Sequence, residues 1–254
     1  MRAATSPTPG RGYPRAMTTG TASGSTAKRT IDVETPHGTG RWFVDAPADP
    51  AAARALLVLG HGAGGGSDAR DLAALARELP ALGVAVARFD QPWRVAGKRV
   101  AARPVALDEA WLDAAPGIRA LAGVAASAPL VLGGRSAGAR VACRTAPPLG
   151  AAGVVCLAFP LHPPGRPERS RVDELAAAGA PTLVLQGDRD TFGSGDEVRA
   201  ALRESVGAVA RIRVIDVPGA DHGMKTLKRG RISVEEVDDL IVREVATFIA
   251  ELLG

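Results

Sequence analysis

Aromatic residues are scarce in this 254-residue chain, with three Trp, one Tyr and five Phe making 4% of the total. That is too few for the stacking platforms that read single-stranded nucleic acid. Cysteine is nearly absent. Cys143 and Cys156 both lie in apolar segments, which excludes a disulfide scaffold and reads as two small buried thiols in a reducing, cytoplasmic compartment. There are four histidines and no i, i+4 pair among them, so no metal-ligand cluster and no metal cofactor are expected. No apolar run approaches the ~20 residues of a membrane-spanning helix, and no membrane partner is expected. Long basic runs are missing too, and a net charge of +4 is only mildly basic. A nucleic-acid partner is therefore not expected.

What is present is a large apolar fraction, 46% of residues, enough for one sizeable core. Residues 1–28 are rich in Ser, Thr, Gly, Pro and Ala and carry no apolar core of a secretory signal. They read as a disordered leader, with Met17 as a second candidate start. Residues 29–254 read as a single domain.

Within that domain, strand-like and helix-like segments alternate. Arg29–Glu34 and Gly40–Val44 suit a hairpin around Pro36-His37-Gly38. Ala55–Leu59, Val84–Phe89, Leu130–Leu132, Val154–Ala158, Thr182–Leu185 and Ile212–Val217 are apolar runs of strand length, with no polar alternation. Strands buried on both faces look like this. Helical spacing occupies Asp68–Leu82, Leu107–Val124, Ala137–Thr145, Val172–Ala178 and Asp196–Val206, with Pro104 and Pro116 marking breaks or caps. A last helix carries a one-face stripe from Val237 to Leu252. Ser194-x-x-Glu197 and Ser233-x-x-Glu236 are capping boxes in sequence. The alternation predicts a mostly parallel sheet with helices on both faces, an α/β fold. The connecting loops are too short for a large cap domain.

In such sheets ligands bind beyond the carboxyl ends of the strands. The segment after Leu130–Leu132 is Gly133-Gly134-Arg135-Ser136-Ala137-Gly138. Strand, Gly-x-Ser-x-Gly turn and helix in that order make a nucleophile elbow, with Ser136 on its sharp turn. The segment after Thr182–Leu185 is Gln186-Gly187-Asp188-Arg189-Asp190, and the one after Ile212–Val217 ends in Asp221-His222. Serine, acid and histidine therefore follow one another at successive strand ends. Ser136 needs a base, which His222 supplies, and an acid to orient that base. Asp190 lies farther into its loop than Asp188 and takes the acid role, while Asp188 suits a turn cap. Asp221 reads as a solvated side chain or a loop brace, and Arg135 as pointing away from the reaction centre to brace a neighbouring loop.

The first strand of the run ends in Gly60-His61-Gly62-Ala63-Gly64-Gly65-Gly66. It lacks the Lys-Ser/Thr ending of a phosphate-binding P-loop and suits an oxyanion loop. The amides of Ala63 and Ala137 are the expected donors to a tetrahedral oxyanion. His61 is expected to anchor that loop. Substrate contacts are expected from Gln91, Trp93, Arg94 and His162, at the active edge. Arg94, Lys98, Arg99, Arg103, Arg166, Arg169 and Arg171 give this edge a basic rim, so the substrate is an anionic acyl compound or the rim is simply solvated.

These segments resemble the α/β-hydrolase superfamily in its dienelactone-hydrolase-like branch. More narrowly, the chain is similar to small bacterial proteins related to the hydrolase-like domain of an animal chromatin scaffold, the non-specific-lethal complex subunit. The matching segments are Gly60–Gly66, Arg88-Phe89-Asp90-Gln91-Pro92, Gly133–Arg140, Phe159–Gly165, Gln186–Asp190 and Asp221-His222, and the triad pieces among them are superfamily-wide. Phe159-Pro160-Leu161-His162-Pro163-Pro164-Gly165 is more specific to the narrower group. The resemblance implies an α/β-hydrolase fold with an eight-stranded sheet and carries the triad onto Ser136, Asp190 and His222. Two departures stand out: Thr191 follows the acid where many relatives have proline, and serine stands where dienelactone hydrolases proper have cysteine. The expected activity is hydrolysis of ester, thioester or related acyl bonds of a small molecule, in the carboxylic ester hydrolase class and without a cofactor. Acyl transfer or peptide cleavage by the same triad, and a catalytically silent binding or scaffold module, are the alternatives.

Overall fold

The computed structural model describes residues 18–23, 26–205, 211–227 and 232–254. Nine strands form one sheet: β1 (Thr18–Ser23), β2 (Thr26–Thr35), β3 (Gly38–Pro47), β4 (Ala55–Gly60), β5 (Val84–Asp90), β6 (Leu130–Arg135), β7 (Gly153–Leu157), β8 (Thr182–Gly187) and β9 (Ile212–Val217). The order across the sheet is β1-β2-β3-β5-β4-β6-β7-β8-β9. From β5 to β9 every neighbouring pair is parallel. The β2–β3 hairpin joins antiparallel to β5.

Strands β2 to β9 are the eight expected from sequence. The ninth, β1, pairs antiparallel with β2, inside the stretch that composition alone assigned to a disordered leader. Its segment Thr18-Thr19-Gly20-Thr21 is rich in β-branched residues, and the edge of β2 offers it unpaired backbone groups. Residues 1–17 and Val206 lie outside the described residues.

The parallel strands explain their own apolar runs. Leu56 and Val58 face one cluster, with Trp42, Trp111 and Ile118. Leu57 and Leu59 face the opposite cluster, with Leu72, Leu75, Val237 and Ile241. Alternate side chains of one strand point to opposite faces, so a strand between two helix layers must be apolar at every position. Helices α1 (Arg70–Glu78) and α8 (Val234–Leu253) cover one face. Helices α3 (Pro104–Ala114), α4 (Ile118–Ala122), α5 (Ala137–Leu149), α6 (Val172–Ala176) and α7 (Gly195–Glu204) are on the other. A short helix, α2 (Pro92–Val95), follows β5.

Both capping boxes form, at Ser194 and at Ser233. The helical segment over 107–124 divides at a turn containing Pro116, the break expected there, since the ring cannot continue a helix without losing a hydrogen bond. Helix α5 instead runs on through Pro147 and Pro148 to Leu149. Among the described residues no separate cap domain stands over the sheet, and no helix is long and apolar enough to cross a membrane.

Candidate active site

The site sits at the carboxyl edge of the parallel strands. Strand β6 feeds directly into α5, and Ser136 between them has φ +51° and ψ −111°. A non-glycine residue at positive φ is strained and persists only where packing holds it. Here Ser136 N–H donates to Leu157 O at 3.0 Å, and Ser136 O accepts from Arg140 N–H at 3.2 Å. The elbow is tight because its neighbours are glycines. A Cβ on Gly134 would stand 2.5 Å from Gly60 O, and one on Gly138 would strike the same carbonyl.

Ser136, His222 and Asp190 come together. His222 Nε2 lies 2.8 Å from Ser136 Oγ. His222 Nδ1 lies 2.8 Å from Asp190 Oδ2 and 3.0 Å from Oδ1. A carboxylate accepts, so Nδ1 carries the proton and Nε2 is left to accept from the serine hydroxyl. The Asp190 side chain is fully buried. Its Oδ1 also accepts from Phe192 N–H at 2.8 Å and its Oδ2 from Gln186 Nε2 at 3.0 Å. The Phe192 ring stacks on the His222 imidazole, with centroids 4.1 Å apart and planes 27° apart. Asp188 instead accepts from Gly219 N–H, and Asp221 accepts from Gly223 and Lys225 N–H. Asp188 is the turn cap expected of it, and of the two readings of Asp221 the loop brace holds.

His61 joins two loops. Its Nδ1 donates to Gly62 O at 2.8 Å and its Nε2 accepts from Gln91 N–H at 3.2 Å. Burial holds its pKa below the ordinary imidazole value, so the neutral form this arrangement needs is favoured. The amides of Ala63 and Ala137 have no protein acceptor among the described residues. Both residues line one small cavity, together with Gln91 and Trp93.

Two other expected substrate residues lie apart from that cavity. Arg94 is exposed on the rim beside Gly66. His162 is buried on the other flank, in a groove of about 410 Å³. Its backbone N–H donates to Phe192 O at 3.0 Å, and its Nε2 lies 3.5 Å from Glu197 Oε1. Among the described residues no group of three or more His, Cys, Asp or Glu is placed to hold a metal. Cys143 and Cys156 are buried free thiols with sulfurs 3.5 Å apart.

Arg135 braces a neighbouring loop, as its place beside Ser136 suggested; what sequence reasoning missed is the charged support it belongs to, beneath the site. Arg135 donates to the His222 carbonyl and lies 3.2 Å from Asp71 Oδ2. Arg70 donates to the carbonyls of Met224 and Val234. Burial pushes the Asp71 carboxyl up, and the charge of Arg135 opposes that. The sequence signal was there: Asp71 interrupts the buried face of α1 beside Leu72, Leu75 and Ala76.

An open, mostly parallel sheet with a serine on a strand–turn–helix elbow defines the α/β-hydrolase architecture. The chain belongs to that family, since the sequence model of the alpha/beta hydrolase domain matches residues 53–250. A search of curated protein sequences finds no match. Solved structures share the fold. An alpha-beta serine hydrolase homologue from Coxiella burnetii has TM-score 0.66 and 19% identity over 85% of this chain and 96% of that one. An a/b serine hydrolase without a lid from Xanthomonas campestris has TM-score 0.63 and 20% identity, over 89% and 96%. A hyperthermophilic esterase from the archaeon Pyrobaculum calidifontis has TM-score 0.58 and 18% identity, over 85% and 83%.

Proposed function

We propose that this protein is a serine hydrolase that cleaves ester, thioester or related acyl bonds of a small molecule through an acyl-Ser136 intermediate. The observation that carries this is the continuous relay from Ser136 Oγ to His222 Nε2 and from His222 Nδ1 to a buried Asp190, each step at 2.8 Å. The serine hydrolase and esterase neighbours accord with it. Within the superfamily we assign the chain to the dienelactone-hydrolase-like branch, near the bacterial relatives of the non-specific-lethal subunit, on its Phe159–Gly165 segment.

In the first step Ser136 Oγ bonds to the acyl carbon, and the carbonyl π pair moves onto oxygen. His222 Nε2 takes the hydroxyl proton, and Asp190 stabilises the resulting imidazolium. The Ala63 and Ala137 amides donate to the oxyanion; one such donor is worth ~10²–10³ in rate. Collapse expels the leaving group, which takes the proton from Nε2. Water then repeats the sequence, with His222 as base, to release the acid and free Ser136.

The exposed Arg94 and Arg166 on the rim support an anionic acyl substrate, drawn in by long-range charge. Equal loss of rate on carboxylated and neutral esters in Arg94→Ala and Arg166→Ala would sink that part.

Fluorophosphonate labelling of the purified protein, mapped by mass spectrometry, tests the main reading. Ser136 is expected to be labelled, Ser136→Ala to be silent and His222→Ala to react far more slowly. A folded protein that takes no label refutes the hydrolase.

A further inference from the structure

The small cavity beside Ala63 and Ala137 bears on which acyl group this site accepts, an inference that rests on the hydrolase reading. In a tetrahedral adduct on Ser136 three substituents remain besides Oγ. The leaving group must face His222, which returns a proton to it. The oxyanion faces the Ala63 and Ala137 amides. The acyl chain is left with the side away from His222, next to those two amides.

One cavity meets that description. Its lining includes Ala63, Ala137, Trp93, Leu107, Trp111 and Val141, and no residue of the Asp190 or His222 loops. Its volume is about 10 Å³, room for about one water molecule. A methyl group is of that size, and a propyl chain is not.

The walls are fixed by contacts of their own. Trp111 is fully buried and lies 6.0 Å from Trp42 and 5.9 Å from Phe89, centroid to centroid. Trp93 meets the His61 ring at 5.4 Å. Gln91 Nε2 donates to Leu107 O at 3.1 Å, which ties the loop after β5 to α3. Packed walls of this kind resist added volume.

We propose that this cavity is the acyl pocket and that it restricts the protein to two-carbon acyl groups, making acetyl esters and thioesters its substrate class. Leu107 and Val141, on different helices, set the limit by filling the space where a third and fourth carbon would go.

The test uses the full chain with 4-nitrophenyl acetate, butyrate and hexanoate, after fluorophosphonate labelling. Acetate is expected to exceed butyrate in kcat/KM by about 100-fold, the order that added methylenes cost in a fixed pocket. Leu107→Ala, and separately Val141→Ala, is expected to raise butyrate turnover and narrow that ratio about tenfold. A gain on the longer ester in either folded variant supports the size limit, and misfolding does not produce it. Labelled wild type that turns over acetate and butyrate equally overturns the acyl limit alone. An unchanged ratio in both folded variants overturns the role of these walls. An unlabelled Ser136 overturns the hydrolase reading, and the acyl limit with it.

Discussion

Arg135 donates from Nη2 to the carbonyl oxygen of His222 at 2.8 Å. The residue before the nucleophile thus holds the backbone of the base, 87 positions away in sequence. Asp71 holds the guanidinium from below, 3.2 Å from Nε. Serine and histidine are spaced by one rigid bracket, so thermal drift of one loop against the other is limited.

Arg135→Met therefore has two expected effects. It leaves Asp71 buried as a charge without its partner, at a cost of about 3 kcal/mol in urea unfolding. It also lets the His222 loop shift, and a displacement of about 1 Å is worth ~10² in labelling rate at Ser136. Arg135→Lys keeps the charge but loses the fork, so it is expected to recover more stability than rate. Full labelling by Arg135→Met would show that the bracket does not position the base.

Asp190→Asn removes the charge that fixes the His222 tautomer while keeping the shape. Nδ1 then meets an amide that can donate, and Nε2 tends to carry the proton instead of accepting one. The expected loss in labelling and ester turnover is ~10³–10⁴, with the fold retained by circular dichroism. Asp188→Asn, at the turn cap, is expected to change turnover by less than about threefold, within the small effect of exposed polar changes.

The glycine at the start of α5 and those in the loop after β4 are not equivalent. A Cβ on Gly138 would run into Gly60 O, while one on Gly64 would meet nothing within 4 Å. Gly138→Ala is expected to destabilise the fold by about 3 kcal/mol, the upper range for overpacking against backbone. Gly64→Ala is expected to fall within about 0.5 kcal/mol of wild type. Thermal melts of the two variants compare them directly.

His61 gives the stability a pH dependence. Burial lowers its folded pKa, so in mildly acid solution the unfolded chain binds a proton that the folded chain does not. Stability from this group is full above the unfolded value of about 6.5 and falls as pH drops below it. Protonation also removes the acceptor for Gln91 N–H. Urea titrations between pH 8 and pH 5 are expected to show a shallower decline in His61→Gln than in wild type. Parallel curves would remove His61 from the account.

Much of the fold is legible before any coordinates. The apolar runs at Ala55–Leu59 and Thr182–Leu185 have no polar face, and only a strand buried on both sides explains that. Helix ends at Ser194 and Ser233 are local hydrogen-bonding patterns, so sequence suffices. What failed to read was set at longer range. β1 depends on the free edge of β2, a property of the sheet. Helix α5 outlasts its sequence signal through Pro147 and Pro148, held in the packed layer around Ala146.

The candidate site divides along the same line. The sequence by itself determined the elbow, because Gly134 and Gly138 are the only residues that the Gly60 carbonyl leaves room for. It also determined the chain order of serine, acid and histidine, since parallel strands deliver successive loops to one edge. The loop position of Asp190 likewise marked it over Asp188 as the acid. Only the tertiary structure decided that His162 lies with Glu197 instead of with Trp93. The bracket from Arg135 and the size of the cavity under Leu107 were decided there as well. Each of these is a side-chain distance between residues far apart in the chain. Such distances follow from how helices and loops pack against the sheet, and local sequence preference does not encode them.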